Sequence, residues 1–380
     1  MRIAFAIVSL FPGGGLQRDC VDIAHRVREL GHEVTIFTSR KFGDGFGADL
    51  PLQILPVDER TNHRRQSAFS DEFRRHCAGN FELLVGFDKI GGIDVLYCSD
   101  RSMRARVEQN PFLNLLPRYR EFINLERECF APNRTTKIML MTEHQLDEYW
   151  NSWTTEQNRL IVLPPTLSLA RRKPEYRADG KREKWRADLG LSPGNWTWIT
   201  VCVQPKTKGV DRTIRALCQF PEARLLLIGL DKYDLRSARI RQLAEQLGVA
   251  MRIEWLGHRE DVPALMAAGD LLVHPARYDT TGTVILEAIV NGLPIITTAA
   301  CGYARHVSSA TAGIVIQEPF RQWSFMAALE AARDPIRSAK WSKSGADYGK
   351  KSHLYEGRGR AADFIVTCAQ NSDSASEAER

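Results

Sequence analysis

The sequence lacks the cysteine spacings and the long apolar runs that would place it in several large protein classes. Its 380 residues include eight cysteines, but no two of them form a Cys-x-x-Cys pair, so neither a disulfide framework nor a zinc site is indicated. No stretch approaches the roughly 20 apolar residues that a transmembrane helix needs. We therefore expect a reduced, cytosolic protein with ordinary buried thiols.

A secretory signal and a strong charge of one sign are also missing. Pro12 and three glycines interrupt the apolar N-terminal stretch before a signal-peptide core is complete. The 52 lysines and arginines stand against 46 aspartates and glutamates, for a formal net charge of +6. The basic residues are dispersed without an aromatic stacking platform, which disfavours nucleic-acid binding. A mildly positive protein nevertheless suits anionic substrates or an anionic membrane surface.

Short apolar runs alternate with segments of helical period along most of the chain. Residues 3–9 predict a buried strand, residues 16–30 an amphipathic helix that Gly31 ends, and residues 33–38 the next strand. Such alternation predicts an α/β protein built from βαβ units with parallel sheets. The further predicted strands are 53–57, 83–87, 95–98, 137–141, 160–163, 197–203, 224–228, 252–255, 271–274 and 294–298. The predicted helices of the second half are 209–219, 235–247, 262–268 and 282–291.

The length and this pattern predict two Rossmann-like domains that face each other across a deep cleft. The first domain is expected at residues 1–165 and the second at 196–345, with a basic linker at 166–195 between them. Residues 346–370 are expected to form a C-terminal helix, and its crossing back to the first domain is an open alternative. The final segment, 371–380, has no large apolar residue and is expected to be a disordered tail.

Three consecutive glycines follow the first predicted strand. The missing Cβ atoms at Gly13, Gly14 and Gly15 would let backbone N–H groups approach a ligand at the helix N-terminus. The loop lacks the third glycine of G-x-G-x-x-G, and no acidic residue ends the second strand, so a dinucleotide site is poorly supported. A tight turn without a ligand is the alternative. Arg18 and Asp19 follow in the first helical turn, beside the expected cleft.

In the second domain, two lysines stand between the first strand and its helix. Lys206 and Lys208 lie where a diphosphate would meet the helix N-terminus. A plain solvated loop is the alternative.

Two carboxylates frame the start of a later helix in the same domain. Asp279 precedes this helix and Glu287, eight positions on, lies about one turn into it. Both carboxylates are expected to face one ligand, because the intervening backbone amides would bind an anion. The alternative is an aspartate N-cap followed by an ordinary helical glutamate. The amides belong to Thr281, Gly282 and Thr283.

The motifs occur in the order of a known enzyme family. GGGLQRD, KTKGVDR, HPARYDTTGTVILEA and CGYARHV together resemble the retaining glycosyltransferases of family four, which have the GT-B fold. TNHRR at 61–65, VGFDKIGGIDV at 85–95 and RYREFINLERECF at 118–130 extend the resemblance over nearly the whole chain. Within the family, the chain is most similar to glucosyltransferases that add glucose to inner-core heptose of lipopolysaccharide.

The resemblance implies a role for each donor-side residue. Glu287 would bind the ribose hydroxyls of the nucleotide, and Lys208 would contact the donor diphosphate as a catalytic group. Asp279 would face the donor sugar and assist the transfer. The other expected donor-binding residues are Gly14, Gly15, Asp19, Lys206, Thr281, Gly282 and Thr283.

Two positions depart from the family pattern. Asp279 stands where the E-x7-E motif has its first glutamate, so the carboxylate is one methylene shorter. Thr207 stands where the family usually has an arginine. Lys206 would supply the missing charge, but a lysine does not reproduce the planar fork of a guanidinium.

Acceptor-side residues are expected in the first domain. Asp100 is a catalytic candidate and Asp19 a candidate for orienting donor or acceptor, with loop capping as the alternative for both. A basic cluster near residue 63 suits phosphorylated inner-core sugars, and a solvated charged loop is its alternative. The expected acceptor-binding residues are Arg18, Asn62, His63, Arg64 and Arg120.

The stretch Arg101–Phe130 mixes arginines with large apolar side chains. Tyr119, Phe122 and Ile123 are expected on one helical face after Pro117. We expect this stretch to contact the anionic inner-membrane surface, where a lipid-linked acceptor is held. A helix that packs in the core is the alternative.

Together these features predict a retaining hexosyltransferase that is cytoplasmic and peripheral to the inner membrane. The expected donor is UDP-glucose and the expected acceptor is lipopolysaccharide core or another glycolipid. No Asp-x-Asp motif is present, and lysine with helix-terminal amides would stabilise the leaving diphosphate without a metal or other cofactor. The alternatives are a same-fold transferase for another lipid-linked or small acceptor and a non-catalytic nucleotide-sugar-binding protein.

Overall fold

The computed structural model describes residues 1–43, 45–178 and 180–378, with no side chains described beyond residue 371. Within these ranges the chain separates into two compact units. Unit 1 comprises Met1–Thr166 and the segment from Tyr355 onward, and unit 2 comprises Leu167–Leu354. Each unit is centred on one parallel sheet covered by helices, which confirms the expectation of two Rossmann-like halves.

Unit 1 contains a seven-stranded sheet. Its strands are β1 (Arg2–Leu10), β2 (Glu33–Lys41), β3 (Leu52–Ile54), β4 (Leu83–Gly86), β5 (Val95–Cys98), β6 (Lys137–Leu140) and β7 (Leu160–Val162). Its helices are α1 (Gly15–Glu29), α2 (Asn62–Cys77), α3 (Met103–Gln109), α4 (Pro117–Phe130), α5 (Glu143–Trp153) and α14 (Gly357–Ala378). The strand order is β3-β2-β1-β4-β5-β6-β7. The order reverses between β1 and β4, the kind of switch point beside which α/β proteins bind ligands.

Unit 2 contains a six-stranded sheet. Its strands are β8 (Trp196–Val201), β9 (Ala223–Ile228), β10 (Ile253–Gly257), β11 (Leu271–His274), β12 (Ile295–Thr298) and β13 (Gly313–Ile316). Its helices are α6 (Lys181–Asp188), α7 (Val210–Leu217), α8 (Ala238–Gln246), α9 (Val262–Ala268), α10 (Thr283–Val290), α11 (Ala304–Ala310), α12 (Gln322–Ala332) and α13 (Pro335–Tyr348). The strand order is β10-β9-β8-β11-β12-β13, with the reversal between β8 and β11.

The region expected as a basic linker, 166–195, folds onto unit 2 instead. Arg177, Arg182 and Arg186 donate to main-chain carbonyls at the end of α9, between residues 266 and 269. Arg182 and Arg186 also pair with the Asp270 carboxylate. Cations at a helix C-terminus satisfy its orphan carbonyls and complement its dipole. These arginines therefore cap a helix, and the separate linker expected from composition is wrong.

The chain returns to unit 1 at its C-terminal end. Arg358, in the first turn of α14, pairs with Asp19 (Nε to Oδ1, 2.8 Å) and with Asp22 (Nη1 to Oδ2, 2.9 Å) of α1. Apolar residues of α14, including Ile365, lie in the same core cluster as α1 and β1. Attractive charges and apolar burial thus fix this helix on the first sheet.

The C-terminal helix differs in extent from the expected 346–370. The chain leaves α13 at Tyr348 and enters α14 only at Gly357, and α14 then continues to Ala378. Residues 371–378, expected to be disordered, are therefore helical, because a nucleated helix gains one backbone hydrogen bond for each added residue. Glu379 and Arg380 of the expected tail lie outside the described residues.

The expected membrane-facing side of α4 is also different. Tyr119 is only 3% exposed, Ile123 packs against the core of unit 1, and Phe122 contacts the His63 ring at 6.3 Å between centroids. The core-packing alternative therefore holds for this face. The exposed apolar side chains lie just before the helix, at Phe112 and Leu115, which are 79% and 69% exposed.

A buried carboxylate connects the helices of unit 1. Glu126 of α4 accepts hydrogen bonds from Lys89 Nζ (2.9 Å), Ser102 Oγ (2.5 Å), Trp153 Nε1 (2.6 Å) and the Met103 N–H (2.8 Å). Burial opposes its ionisation, but Lys89 and these hydrogen bonds outweigh burial and lower the pKa of Glu126. The carboxylate thereby holds the N-terminus of α3 and the end of α5 against α4.

Replacing Glu126 by glutamine leaves the Lys89 ammonium buried without its counter-charge. Breaking one side of a buried pair costs about 3–5 kcal/mol, so we expect E126Q to lower the free energy of unfolding by that order in urea denaturation followed by circular dichroism. Glu128→Gln is the matched control, since Glu128 lies on the same helix in a partly exposed pair with Arg134. Its loss should stay below about 1 kcal/mol. Equal losses in both variants would contradict this account of α4.

Candidate active site

Neighbouring strands of unit 2 bring a lysine and an aspartate together. Lys208 follows β8 and Asp279 follows β11, and these two parallel strands are paired in the sheet. Because the carboxyl ends of parallel strands meet at one edge, the two loops are adjacent. Lys208 Nζ lies 2.6 Å from Asp279 Oδ2.

A buried histidine supports the same carboxylate oxygen. His274, the last residue of β11, is fully buried, and its Nε2 lies 3.0 Å from Asp279 Oδ2. Burial opposes the charged imidazole, but the hydrogen bonds with Asp279 and Cys301 outweigh it and raise the pKa of His274 to about 9. Burial likewise opposes ionisation of Asp279, yet His274 and Lys208 lower its pKa to about 2. The aspartate is therefore ionised between two cations.

Among the described residues, one cluster of side chains could hold a metal ion. Its ligating atoms, on His274, Asp279 and Cys301, lie within 4.8 Å of one another. Histidine, carboxylate and thiolate form a ligand set that zinc accepts, but they bind metal only when the imidazole and the thiol have lost their protons. The raised pKa of His274 keeps this imidazole protonated at neutral pH. His274 holds Asp279 through this ion pair, and the expected absence of a metal cofactor stays a prediction.

The backbone around Asp279 is fixed by the CGY segment that follows β12. The Asp279 N–H donates to the Ala300 carbonyl (3.1 Å), and the Gly302 N–H donates back to the Asp279 carbonyl (3.0 Å). The Tyr303 N–H donates to the Thr281 carbonyl (2.7 Å). These bonds form a short parallel bridge, so the loop carrying Asp279 is held against the segment at 300–303.

The start of α10 follows directly from this loop. Gly282 is its N-cap, in the left-handed region at φ +75°, where a side chain would be strained and a Cβ would lie 2.9 Å from Ile285. The Thr281 and Thr283 hydroxyl oxygens lie 3.3 Å apart beside the cap. The first N–H groups of an α-helix have no partner within the helix, so this end of α10 can receive an anion.

Each of the two predicted carboxylates forms an ion pair with a different cation. Glu287 lies one turn into α10, as expected, and its Oε1 accepts from Arg171 Nε at 2.8 Å. Asp279 pairs with Lys208 instead. The partnership of Glu287 with Arg171 was not predicted, because Arg171 falls in the stretch that composition indicated as a linker.

An arginine that the sequence did not single out holds the loop that carries Lys206 and Lys208. Arg277 forms two bonds of 2.7 Å with the Asp211 carboxylate and one of 2.8 Å with the Lys206 carbonyl. Gly209 has φ +70°, and a Cβ there would lie 2.0 Å from the Pro275 carbonyl oxygen. The loop therefore lies close against the end of β11, while the Lys206 side chain remains exposed.

The predicted glycine loop of unit 1 leads into α1. Gly14 is the N-cap of α1, and a Cβ at this position would lie 1.8 Å from the Gln17 side-chain amide oxygen, whereas Gly15 has open space around it. Arg18 is exposed one turn later. The donor and acceptor roles of these residues stay predictions.

Asp19 has partners within unit 1. Its Oδ1 accepts from Arg358 Nε at 2.8 Å, and its Oδ2 accepts from the Tyr97 hydroxyl at 2.9 Å. Burial, the largest influence, raises the pKa of Asp19 against the opposing effect of Arg358. In this structure the carboxylate anchors α14 and β5 to α1, and its predicted contact with the donor is untested.

Asp100 follows β5 at the carboxyl edge of the first sheet. Its side chain is exposed, while its carbonyl accepts from Gln145 Nε2 (2.7 Å) and from the Tyr149 hydroxyl (3.2 Å). The main chain is thus held while the carboxylate remains accessible. Its catalytic role stays a prediction.

The predicted acceptor residues Asn62, His63 and Arg64 form the first turn of α2 rather than a loop. Asn62 Oδ1 accepts from Arg65 Nη1 at 2.9 Å, and the edge-to-face contact of His63 with Phe122 joins this turn to α4. On α4, the exposed Arg120 donates from Nε to the Asn114 carbonyl at 2.8 Å. The structure thereby brings the two helices of the predicted acceptor cluster into contact.

The ion pair of His274 with Asp279 makes a pH prediction. The folded pKa of His274, about 9, lies above its ordinary value of 6.5, so the pair contributes its full stability below pH 6.5 and loses it as the pH rises through about 9. We expect NMR titration of the imidazole to give a pKa near 9. Asp279→Asn should lower this pKa clearly, because burial is then opposed by the hydrogen bond with Cys301 but no longer by the carboxylate.

Asp211→Asn is the control, since it removes a nearby carboxylate that pairs with Arg277 instead. It should leave the imidazole titration unchanged. A His274 pKa below 7 in the unmodified protein would show that the ion pair is not formed.

Known proteins resemble this chain over nearly its whole length. The family model described as glycosyl transferases group 1 matches residues 181–347, a range that contains Lys208, Asp279 and Glu287. Lipopolysaccharide glucosyltransferase WaaG of Escherichia coli (strain K12) is 36% identical over 376 residues, which cover 96% of this chain and 99% of the relative. A crystal structure of WaaG matches with a TM-score of 0.88 at 34% identity, over 96% of this chain and 99% of that one.

A more distant match shares the fold alone. The complex of Anabaena Alr3699/HepE with UDP-glucose has a TM-score of 0.71 at 18% identity and covers 100% of both chains. The match to the WaaG structure confirms the expected GT-B fold. Because the 36% identity extends over nearly the full length of both proteins, the chain is a glycosyltransferase and belongs to the glycosyl transferases group 1 family.

Proposed function

We propose that the protein transfers glucose from UDP-glucose to the lipopolysaccharide core, with retention of configuration at the anomeric carbon. The observation that carries the proposal is the ionised Asp279, held by Lys208 and His274 immediately before a helix that bears Glu287. The similarity to WaaG, a lipopolysaccharide glucosyltransferase, supports the choice of sugar and acceptor. The Anabaena complex with UDP-glucose supports a nucleotide-sugar donor for this fold.

When the donor binds, Lys208 leaves Asp279 and pairs with the donor diphosphate instead. Breaking the bond between the sugar and the diphosphate places negative charge on the leaving phosphate. The Lys208 ammonium and the N-terminal amides of α10 supply positive charge for that phosphate. This arrangement stabilises the departing group without a metal ion.

Asp279 serves the sugar in this mechanism. When Lys208 turns to the phosphate, His274 still donates to the aspartate and the backbone bridge still holds its loop. The fixed carboxylate then accepts hydrogen bonds from sugar hydroxyls. The histidine and the bridge support the shorter side chain that stands where the family has a glutamate.

The transfer takes place on one face of the sugar. The bond between the anomeric carbon and the diphosphate oxygen breaks, and the acceptor oxygen forms the new bond from the same side. The acceptor hydroxyl proton passes to an oxygen of the leaving diphosphate. Glu287 accepts the ribose hydroxyls and so orients the nucleotide, an interaction that is remote from the breaking bond.

The acceptor is assigned to unit 1. The first turn of α2 and the exposed Arg120 present donors and positive charge that suit phosphorylated sugars. Asn62, His63 and Arg64 would contact these sugars, with the exposed Asp100 carboxylate as the group that orients the reacting hydroxyl.

The protein would work at the cytoplasmic surface of the inner membrane. None of the helices that the structure describes combines the length and the apolar content needed to cross a bilayer. Phe112 and Leu115 form an exposed apolar tip in the stretch that contains Arg104, Arg106 and Arg118. Apolar insertion together with attraction to anionic lipid would hold the enzyme beside a lipid-linked acceptor.

Incubation with radiolabelled UDP-glucose and lipopolysaccharide core lacking its glucose tests the transfer. We expect labelled product whose new glycosidic bond is α by NMR, and a UDP-glucose KM about tenfold or more higher for Glu287→Gln, because a hydrogen-bonded charge is lost. Glu245→Gln, at an exposed position on α8, is the control and should match the unmodified enzyme. Absence of both transfer and donor hydrolysis with every nucleotide sugar offered would overturn the enzymatic proposal.

Vesicle flotation tests the membrane surface. The double variant Phe112→Ser and Leu115→Ser should bind vesicles containing anionic phosphatidylglycerol at least about tenfold more weakly, because two inserted apolar side chains are lost. Leu235→Ser is the matched control, since Leu235 is an exposed leucine, 93% accessible, in unit 2. Unchanged binding of the double variant would rule out this tip as the contact.

A further inference from the structure

We infer that Arg171 is a positioning residue for the Glu287 carboxylate and thereby sets the affinity for the nucleotide ribose. The inference rests on the proposed function, which assigns the ribose to Glu287. The two residues are 116 positions apart, and Arg171 Nε donates to Glu287 Oε1 at 2.8 Å. Their side chains are 23% and 14% exposed, so water screens this pair less than it would a surface pair.

The guanidinium has a second anchor that fixes its plane. Arg171 Nη1 donates to the Glu260 carbonyl at 3.1 Å, beside α9. A guanidinium presents its donors in one rigid plane, so bonds at Nε and Nη1 determine its orientation. The Glu287 carboxylate that receives the Nε bond is oriented in turn.

A buried asparagine ties the two main chains together. Asn291, only 1% exposed, donates from Nδ2 to the Arg171 carbonyl (2.9 Å) and to the Glu287 carbonyl (2.7 Å). Its Oδ1 accepts from the Lys173 N–H at 2.6 Å. The segment at 171–173 and the end of α10 therefore keep a fixed spacing, independent of the ion pair.

The two oxygens of the Glu287 carboxylate have different roles in this geometry. Oε1 of Glu287 is held by Arg171, and within the described part of the chain no group is hydrogen-bonded to Oε2. Oε2 is thus the oxygen that ribose hydroxyls reach. A carboxylate already fixed in place loses little rotamer freedom on binding. Ribose contacts are alike in the bound substrate and in the transition state, so their loss raises KM and leaves kcat nearly unchanged.

Steady-state kinetics with UDP-glucose tests the role of Arg171. Arg171→Met should raise KM about tenfold and change kcat by less than about twofold. Arg171→Lys keeps a charge without the planar fork, so it should recover only a small part of the loss. Arg172→Met, the same change at the adjacent residue, is the matched control and should leave KM and kcat at their original values. Thermal unfolding of each variant checks that the fold is kept, and Arg171→Lys remains informative if Arg171→Met unfolds.

The dependence on Glu287 is tested by a double variant and by a ribose analogue. If Arg171 acts through Glu287, Arg171→Met together with Glu287→Gln should have the KM of Glu287→Gln alone. The preference for UDP over 2′,3′-dideoxy-UDP as an inhibitor should likewise fall about tenfold in Arg171→Met, because only the hydroxyls bind Glu287.

The outcomes separate the inference from the function on which it rests. An unchanged KM in Glu287→Gln would overturn the ribose assignment itself. A raised KM in Glu287→Gln, with unchanged KM and unchanged ribose preference in Arg171→Met, would overturn only the role of Arg171. Multiplying effects in the double variant would also overturn it, since the two residues would then act independently.

Discussion

The carboxylate of Asp279, held between Lys208 and His274, is the interaction on which the site of unit 2 depends. An ionised group that is largely buried is stable only when it is paired and hydrogen-bonded. Lys208 supplies an accessible cation and His274 a fully buried one. The two cations have different consequences, because the lysine can leave for another anion while the histidine stays. The site is therefore ready to exchange one partner without losing the position of the aspartate.

The surrounding fold provides what this pairing needs. Adjacent parallel strands β8 and β11 place the two loops side by side, and the bridge between Asp279 and Cys301 fixes one of them. The segment at 166–195, which folds onto unit 2, has a similar supporting role. Its arginines cap α9, and Arg171 meets Glu287. The positive net charge of the chain suggests an anionic partner. Part of this charge, however, belongs to arginines that cap a helix or pair with carboxylates within unit 2.

The sequence predicted the strands well where apolar runs were short and bounded. The predicted strand at 95–98 and the strand at 271–274 match the observed bounds, because buried parallel strands consist of uninterrupted apolar residues. The helix α2 was missed as an element, since Phe69 and Phe73 form only a narrow apolar stripe among charged residues. The short β13 at Gly313–Ile316 was also missed. Local pattern carries little information about such elements.

The candidate site could be predicted only where its residues lie close in sequence or in a motif. Asp279 and Glu287 were chosen as candidates from their spacing, and Lys208 from its place before a helix. Arg171 could not be found in this way, because its partner lies 116 residues away and its neighbours are as basic as those of a solvated linker. His274 ends a predicted strand, and its hydrogen bond with Asp279 depends on a loop path that periodicity does not specify. Tertiary structure alone brings these partners together.

A crystal structure of the complex with UDP-glucose tests the central claim most directly. The account predicts that Lys208 Nζ moves from its 2.6 Å contact with Asp279 to a phosphate oxygen of the donor. His274 should keep its 3.0 Å contact with Asp279, and the aspartate should receive hydrogen bonds from the glucose hydroxyls. A complex in which Lys208 remains on Asp279 while the diphosphate binds elsewhere would contradict the account.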